Sequence, residues 1–214
     1  MSHDQSFLDP KAHAYVEGLF RPPYAVMERM EREIAMEGQP AVGRSTGAVL
    51  RALALASGGS RILEVGTNVG YSALWLASEL RPHGHLDTIE IDPGIARRAR
   101  ANFDEAKVGG RITVHEGAAL DVLPRLQGPY DMVFLDAVKA EYPRYLDHAL
   151  RALRPGGILA ADNAFWLGRA WGKPAQDDAD TRGVQELTRR VTGDPRLAAA
   201  MVPSEDGLLV AVLR

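Results

Sequence analysis

Two apolar stretches of the chain end on residues that can bind a cation or carry a proton. The first contains Asp136 and Lys139, and the second ends in Asp162 and Asn163. An acidic residue directly after a short apolar run is typical of a buried strand that has reached the edge of a parallel sheet. Two carboxylates and an amide are three hard oxygen donors, which suit Mg²⁺ or a similar cation. Lys139, one helical turn beyond Asp136, is a candidate proton acceptor.

A glycine loop upstream predicts a nucleotide-type site. Gly66 and Gly70 follow an apolar run with the spacing Gly-x-x-x-Gly, and Glu64 precedes them. An acid before the loop would repel a pyrophosphate and attract an amino group. Glu90 ends the next predicted strand, 20 residues after Gly70 in the sequence. This separation suits an acid that accepts hydrogen bonds from ribose hydroxyls. The combination predicts S-adenosylmethionine, although solvated strand ends would give the same acids.

These residues need a parallel sheet to bring them together. Short apolar runs occur at about 61–65, 86–91, 112–115, 131–136 and 157–161, with room for a helix in each gap. This alternation predicts βαβ units and a doubly wound α/β sheet. A turn is expected at residues 154–157, before the fifth strand. Residues 208–213 predict a further strand after the turn at 205–207, so the C-terminus is expected to add an antiparallel hairpin strand.

The first 57 residues are predicted to be helical. Met27, Met30, Ile34 and Met36 fall at roughly helical spacing. A later helix is expected from about Ser45 to Leu55, capped by Ser45 or Thr46 and ended by Gly58-Gly59. The length of 214 residues favours one domain. In it, residues 1–57 would cap the site that residues 58–214 form.

Composition excludes several classes of function. The formal net charge is −3, which gives the whole chain no attraction for nucleic acid or an anionic membrane. There are no cysteines, so disulfides, thiolate metal sites and a cysteine nucleophile are excluded. No secretory signal is visible, and no apolar run approaches the about 18 residues of a membrane span. We expect a cytoplasmic protein.

Four segments resemble one family, the metal-dependent O-methyltransferases of the catechol and caffeoyl-coenzyme A type within the class I methyltransferases. The similarity extends from about residue 40 to the end of the chain. The segments are Glu64-Val65-Gly66-Thr67-Asn68-Val69-Gly70-Tyr71-Ser72, Glu116-Gly117-Ala118-Ala119-Leu120, Phe134-Leu135-Asp136-Ala137-Val138-Lys139 and Asp162-Asn163.

The resemblance implies a Rossmann-like sheet with helices on both faces, a bacterial member and a homodimer. It implies that Asp136, Asp162 and Asn163 bind one divalent cation and that Lys139 accepts the proton. It also implies S-adenosylmethionine contacts from Val42, Glu64, Gly66, Thr67, Ser72, Glu90, Ala119 and Asp136. The small side chain of Ala119 would leave room for the adenine ring.

The substrate wall is less specific. Phe165, Trp166 and Trp171 follow Asn163 and either stack on an aromatic ring or fill a core or subunit interface. Val138 stands where animal catechol enzymes carry a tryptophan that covers the ring. Leu167 stands where plant caffeoyl-coenzyme A enzymes carry an asparagine. The resemblance therefore assigns neither caffeoyl-coenzyme A nor a simple catechol.

We expect an O-methyltransferase that uses S-adenosylmethionine and a divalent cation, and that acts on one hydroxyl of a small vicinal-dihydroxy aromatic. A transfer-RNA hydroxyuridine O-methyltransferase of the same fold family is the alternative, which the net charge disfavours. A nicotinamide oxidoreductase is disfavoured by Glu64 and the glycine spacing. A catalytically silent binding protein is disfavoured by Lys139 and the predicted cation ligands.

Overall fold

The computed structural model describes residues 9–214, which contain a single seven-stranded sheet with the strand order β3-β2-β1-β4-β5-β7-β6. Strands β1 to β5 pair in parallel, whereas β7 runs antiparallel to both β5 and β6. The strands are β1 (Arg61–Val65), β2 (His85–Glu90), β3 (Ile112–Glu116), β4 (Tyr130–Leu135), β5 (Leu153–Ala161), β6 (Leu197–Val202) and β7 (Leu208–Leu213).

Helices cover both faces of this sheet. They are α1 (Pro10–Leu19), α2 (Val26–Glu37), α3 (Arg44–Ser57), α4 (Tyr71–Ala77), α5 (Pro93–Glu105), α6 (Ala119–Val122), α7 (Tyr142–Ala152) and α8 (Ala179–Gly193). Within residues 9–214, none of these helices is both long and apolar enough to cross a membrane.

The core forms two layers because strands that are buried on both faces send alternate side chains to opposite sides. In β1, Ile62 packs into the layer beneath α2 to α5, whereas Leu63 and Val65 pack into the layer beneath α6 to α8. The largest fully buried side chains include Trp75 in the first layer and Tyr142 in the second. Full burial of an aliphatic side chain such as Leu63 or Val65 contributes about 1.5–3 kcal/mol.

The sequence-based fold prediction is confirmed, with one correction at β5. The expected strands and the antiparallel strand at 208–213 are present, and the sheet order reverses between β1 and β4. Residues 154–157 were expected to be a turn before the fifth strand, and this is wrong. They form an irregular start of β5. Leu153 of β5 pairs with Tyr130 of β4, but the next pair is Ile158 with Met132, so the register between the two strands shifts within this segment. Gly156 permits this irregularity because its φ is +74°.

One prediction for the N-terminal helices also needs correction. The helix expected from the spacing of Met27, Met30, Ile34 and Met36 is present as α2, with Met27 and Met30 buried and Met36 78% exposed. Ser45 and Thr46 lie inside α3 and do not cap it. The cap consists of two glutamates that are remote in sequence: Glu17 accepts from the backbone N–H groups of Arg44 and Ser45, and Glu205 from those of Gly43 and Thr46. Their charges also suit the positive end of the helix.

Candidate active site

A cavity of about 690 Å³ lies at the carboxyl ends of β1, β2 and β4, beside the point where the strand order reverses. Ligands of doubly wound sheets bind in this position. The glycine loop after β1 forms one wall. Gly66 has a φ of +104°, and a Cβ on it would collide with the backbone carbonyl of Asp136. Glycine at this position therefore lets the loop lie directly against the end of β4.

Most of the predicted site residues line this cavity. Those on its wall are Val42, Gly66, Thr67, Ser72, Glu90, Ala119, Asp136, Val138, Lys139, Asn163 and Trp166. Glu64, Asp162 and Phe165 are not on the wall. The structure thus gathers residues that are spread over more than half of the chain, while their individual contacts with a bound molecule remain predictions.

Glu90 is fixed at the end of β2 by backbone donors. One oxygen accepts from the N–H of Asn68 at 2.8 Å, and the other accepts from the N–H of Asp92 at 3.0 Å. Each carboxylate oxygen has a second lone pair. Glu90 is largely buried and still lines the cavity, so this carboxylate can accept hydrogen bonds from a diol.

Glu64 lies beneath the glycine loop, fully buried. Its two oxygens accept from the hydroxyls of Ser72 and Thr88, each at 2.6 Å, and Thr88 also contacts the hydroxyl of Thr67 at 2.6 Å. Burial raises the pKa of Glu64 to about 8, although the hydroxyl donors oppose this shift. Glu64 therefore supports the loop from below through Ser72 and Thr67, which do reach the cavity.

The two candidate cation-binding acids meet because β4 and β5 are neighbours. Leu135 pairs with Ala161, and the N–H of Asp162 donates to the carbonyl of Leu135 at 3.0 Å. Asp136 and Asp162 are therefore the residues that directly follow the paired ends of two adjacent strands. Burial, together with the carboxylate of Asp136, raises the pKa of Asp162 well above its usual value. A positive charge between these groups would stabilise both as carboxylates.

Lys139 supplies such a positive charge. Its Nζ lies 2.7 Å from Oδ1 of Asp136 and 2.8 Å from the hydroxyl oxygen of Tyr142. Burial disfavours its ammonium form, but the negative charges of Asp136 and Asp162 outweigh burial and raise the pKa of Lys139. Tyr142 was not identified from the sequence, although its position three residues after Lys139 was an available signal.

Asn163 directly follows Asp162 and has a left-handed backbone with a φ of +56°. Its Nδ2 donates to Oδ2 of Asp206 at 3.2 Å. Asp206 is 2% exposed and its other oxygen accepts from the N–H of Leu167 at 2.7 Å. Asp206 was interpreted from the sequence only as part of a turn, so its place beside Asn163 was missed.

The aromatic residues after Asn163 separate into two groups. Trp166 lies on the cavity wall, where Arg169 stacks over its ring at 5.0 Å and Lys139 Nζ lies 6.0 Å from its centroid. Phe165 instead packs edge-to-face against Trp171, with the ring centroids 6.0 Å apart. Val138, which is 55% exposed, completes the outer wall.

The donor set fits a hard divalent cation by its chemistry. Asp136, Asp162 and Asn163 offer oxygen atoms only, and Mg²⁺ characteristically uses few protein oxygens together with water. The part of the chain that the structure describes contains no cluster of three or more His, Cys, Asp or Glu residues suited to a metal. Any cation held here would therefore depend on the amide oxygen of Asn163 as well as on the two acids.

Comparison with known proteins decides the family. A family model described as O-methyltransferase matches residues 24–214. The chain belongs to the O-methyltransferase family. The predicted resemblance and the expectation of an O-methyltransferase are thereby confirmed.

Relatives of this O-methyltransferase match over nearly their whole length. An O-methyltransferase of Mycobacterium tuberculosis is 41% identical over 201 residues, which cover 93% of this chain and 89% of the relative. The O-methyltransferase from Bacillus cereus, solved in complex with S-adenosylhomocysteine, is 30% identical with a TM-score of 0.86. The match covers 95% of this chain and 97% of the Bacillus cereus chain. The O-methyltransferase TomG from Streptomyces achromogenes, involved in tomaymycin synthesis and solved with S-adenosylmethionine, is 31% identical with a TM-score of 0.87. The match covers 100% of this chain and 99% of the TomG chain.

Proposed function

We propose that this O-methyltransferase transfers a methyl group from S-adenosylmethionine to one hydroxyl of a small vicinal-dihydroxy aromatic, with the aid of a divalent cation. The observation that carries the proposal is that the predicted cofactor residues and the predicted cation residues line one cavity. In the strand order β2-β1-β4-β5, Glu90 ends β2 and the glycine loop follows β1 on one side, Asn163 follows β5 on the other side, and Asp136 follows β4 between them. A methyl donor and a hydroxyl acceptor bound on these two sides would meet beside Asp136.

S-adenosylmethionine fits the first side of the cavity. Glu90 presents a carboxylate that two backbone amides hold in place, which suits the two ribose hydroxyls. Ala119 is small enough to leave room for the adenine. The S-adenosylmethionine and S-adenosylhomocysteine bound in the two solved relatives support the same assignment.

The cation would be held by Asp136, Asp162 and Asn163. A divalent cation in that position supplies Lewis acidity, which makes a phenolic hydroxyl easier to deprotonate. The raised pKa of Asp162 supports this assignment, because an acid that is buried beside another acid gains from a nearby positive charge. Asn163 adds a neutral oxygen donor without adding a further negative charge.

Lys139 is proposed to take the proton of the acceptor hydroxyl. In the structure it is held by Asp136 and Tyr142, and its pKa is raised, so it is an ammonium at neutral pH. It must release a proton before it can accept one. Its proximity to the cavity and its two fixed partners place Nζ at a defined point for this exchange.

The acceptor side favours a small molecule over transfer RNA. Val138, Trp166 and Leu167 present a mostly apolar wall that suits an aromatic ring. Among the described residues that line the cavity, Lys139 is the one Lys or Arg, and it is paired with Asp136. Nucleic-acid sites gather several unpaired cations for the phosphates.

The acceptor class can be tested with a matched pair of substrates. Mass spectrometry should detect methyl transfer to a catechol and not to the phenol that lacks one of the two adjacent hydroxyls. Equal methylation of both would contradict the vicinal-dihydroxy requirement. A salt-sensitive gel shift with transfer RNA, followed by its methylation, would favour the alternative function. The homodimer and the cytoplasmic location remain predictions.

A further inference from the structure

The segment between β6 and β7 reaches across to the cation side of the cavity through Asp206. This residue is 2% exposed, and both of its carboxylate oxygens accept hydrogen bonds from the loop that follows β5. Oδ2 accepts from Nδ2 of Asn163 at 3.2 Å, and Oδ1 accepts from the N–H of Leu167 at 2.7 Å. We propose that Asp206 is a positioning residue that holds the amide of Asn163 with its oxygen available as a cation ligand.

The chemistry of the two groups dictates this orientation. An asparagine amide has two ends of nearly equal shape, of which one only donates and the other only accepts. In the structure both oxygens of Asp206 act as acceptors, one from the N–H of Leu167 and the other from the NH₂ end of Asn163. The oxygen end then remains for the cavity, which Asn163 lines. Groups that orient metal ligands in this way strongly affect metal affinity. The inference rests on the proposed cation site.

Backbone contacts hold the two segments together independently of the Asp206 carboxylate. The carbonyl of Asp206 accepts from the N–H of Phe165 at 2.8 Å, and that of Gly207 accepts from the N–H of Ala164 at 2.9 Å. Gly207 has a φ of +81°, and a Cβ on it would lie 2.7 Å from the ring of Phe165. Because these contacts fix the loop, a change confined to the Asp206 side chain should alter the amide of Asn163 more than the fold.

The neighbouring residue acts elsewhere. Glu205 accepts from the backbone N–H groups of Gly43 and Thr46 and from the hydroxyl of Ser45, at the start of α3. One short segment therefore has two roles. Its Glu205 supports the start of α3, and its Asp206 supports Asn163. The two functions are carried by separate side chains, so they can be separated by mutation.

Asp206→Asn tests the proposal because it keeps the shape of the side chain and replaces an acceptor by a donor. The new amide at position 206 can still accept from the N–H of Leu167, and it then presents its NH₂ group to Asn163. Asn163 must turn its own oxygen toward position 206 to be satisfied, and its NH₂ group then faces the cavity. We expect the affinity for Mn²⁺, measured by calorimetry and by electron paramagnetic resonance, to fall by about 10- to 100-fold.

Asp180→Asn is the matched control for lost charge. Asp180 also lines the cavity and accepts from the N–H of Ala140, away from Asn163. We expect this variant to bind Mn²⁺ within about threefold of the wild type, because solvent and salt screen a partly exposed charge. Affinity for S-adenosylhomocysteine should be unchanged in Asp206→Asn, which would show that its fold and the cofactor side are intact.

A reciprocal double variant decides between positioning and a merely structural role. Asn163→Asp combined with Asp206→Asn restores a donor and acceptor pair and leaves one carboxylate oxygen at position 163 for the cation. We expect it to bind Mn²⁺ at least about tenfold more tightly than Asp206→Asn alone. No recovery in the double variant, or normal affinity in Asp206→Asn, would overturn the assignment of Asp206. A wild-type protein that binds no Mn²⁺ would overturn the cation site itself and this inference with it.

Discussion

The Nζ atom of Lys139 lies 2.7 Å from Oδ1 of Asp136, and the two residues are three positions apart at the end of β4. This ion pair is largely buried on the lysine side, where Tyr142 provides the second partner. Asp136 is also the predicted contact for both the cofactor and the cation. The same carboxylate thus connects the proposed base, the proposed cation and the proposed methyl donor.

Replacing Lys139 tests whether it moves a proton. If Lys139 is the general base, Lys139→Ala should lower the catalytic rate by roughly 10²- to 10⁴-fold while S-adenosylhomocysteine binding is retained. The loss should shrink as the pH rises, because the acceptor hydroxyl then ionises without help. Initial rates measured from neutral to alkaline pH check this.

Lys139→Arg is the control for positive charge. Arginine keeps the charge beside Asp136 but does not accept a proton at these pH values. It should therefore be as impaired as Lys139→Ala at neutral pH. Normal turnover of either variant at neutral pH would show that Lys139 is not the base. Recovery in the arginine variant alone would assign Lys139 an electrostatic role.

Glu90→Ala tests the cofactor side. The substitution removes an acceptor from the ribose hydroxyls, and we expect S-adenosylhomocysteine binding to weaken by about 1–3 kcal/mol in calorimetry without added metal. Glu116→Ala is a matched control, because Glu116 pairs with Glu90 on the next strand but lies outside the residues that line the cavity. Equal affinity of the two variants would remove Glu90 from the ribose site.

The parts of this fold that could be predicted have local causes. Short apolar runs that end in Glu90, Asp136 and Asp162 identified the strands because a buried strand must be apolar and its end reaches water. The hairpin at 205–207 was predictable from residue types that favour turns. Adjacent parallel strands then bring their carboxyl ends together, so the cluster of Asp136 with Asp162 also followed from the sequence.

The parts that could not be predicted depend on contacts between distant segments. Ser45 looks like a helix cap, but Glu17 and Glu205 reach the same amides from other segments. Asp206 is a favourable turn residue, and nothing local indicates that its side chain meets Asn163. For Phe165, an aromatic residue after Asn163 suits either a cavity wall or internal packing, and only the tertiary structure separates these cases.

Glu205→Ala should destabilise the protein through the start of α3. Loss of a side-chain cap costs about 1–2 kcal/mol, which lowers the melting temperature of a domain of this size by roughly 2–8 °C. The Asp206 carboxylate is not touched by this change, so Mn²⁺ affinity should be kept. Glu33→Ala is the control, because Glu33 belongs to partly exposed ion pairs with Arg29 and Arg98 that contribute little. Equal melting temperatures for the two variants would contradict the capping role.

Glu64 should make stability depend on pH. Burial raises its pKa to about 8 in the folded protein, so the folded state holds this proton more tightly than the unfolded state. The associated stability is present below the unfolded pKa of about 4.5 and is lost as the pH rises through about 8. Glu64→Gln should remove this dependence. Chemical denaturation at about pH 5 and about pH 9 should therefore show the variant gaining stability relative to the wild type at the higher pH.

The proposed methyl transfer depends on a divalent cation, and metal removal tests this dependence most directly. The protein is treated with EDTA, freed of the chelate, checked for residual metal by elemental analysis, and assayed with labelled S-adenosylmethionine and a catechol. We predict no turnover in the metal-free protein and its return on addition of Mg²⁺ or Mn²⁺, because Asp136, Asp162 and Asn163 form an oxygen-only ligand set. Full turnover in the protein shown to contain no metal would contradict the claim and assign this chain a metal-independent mechanism.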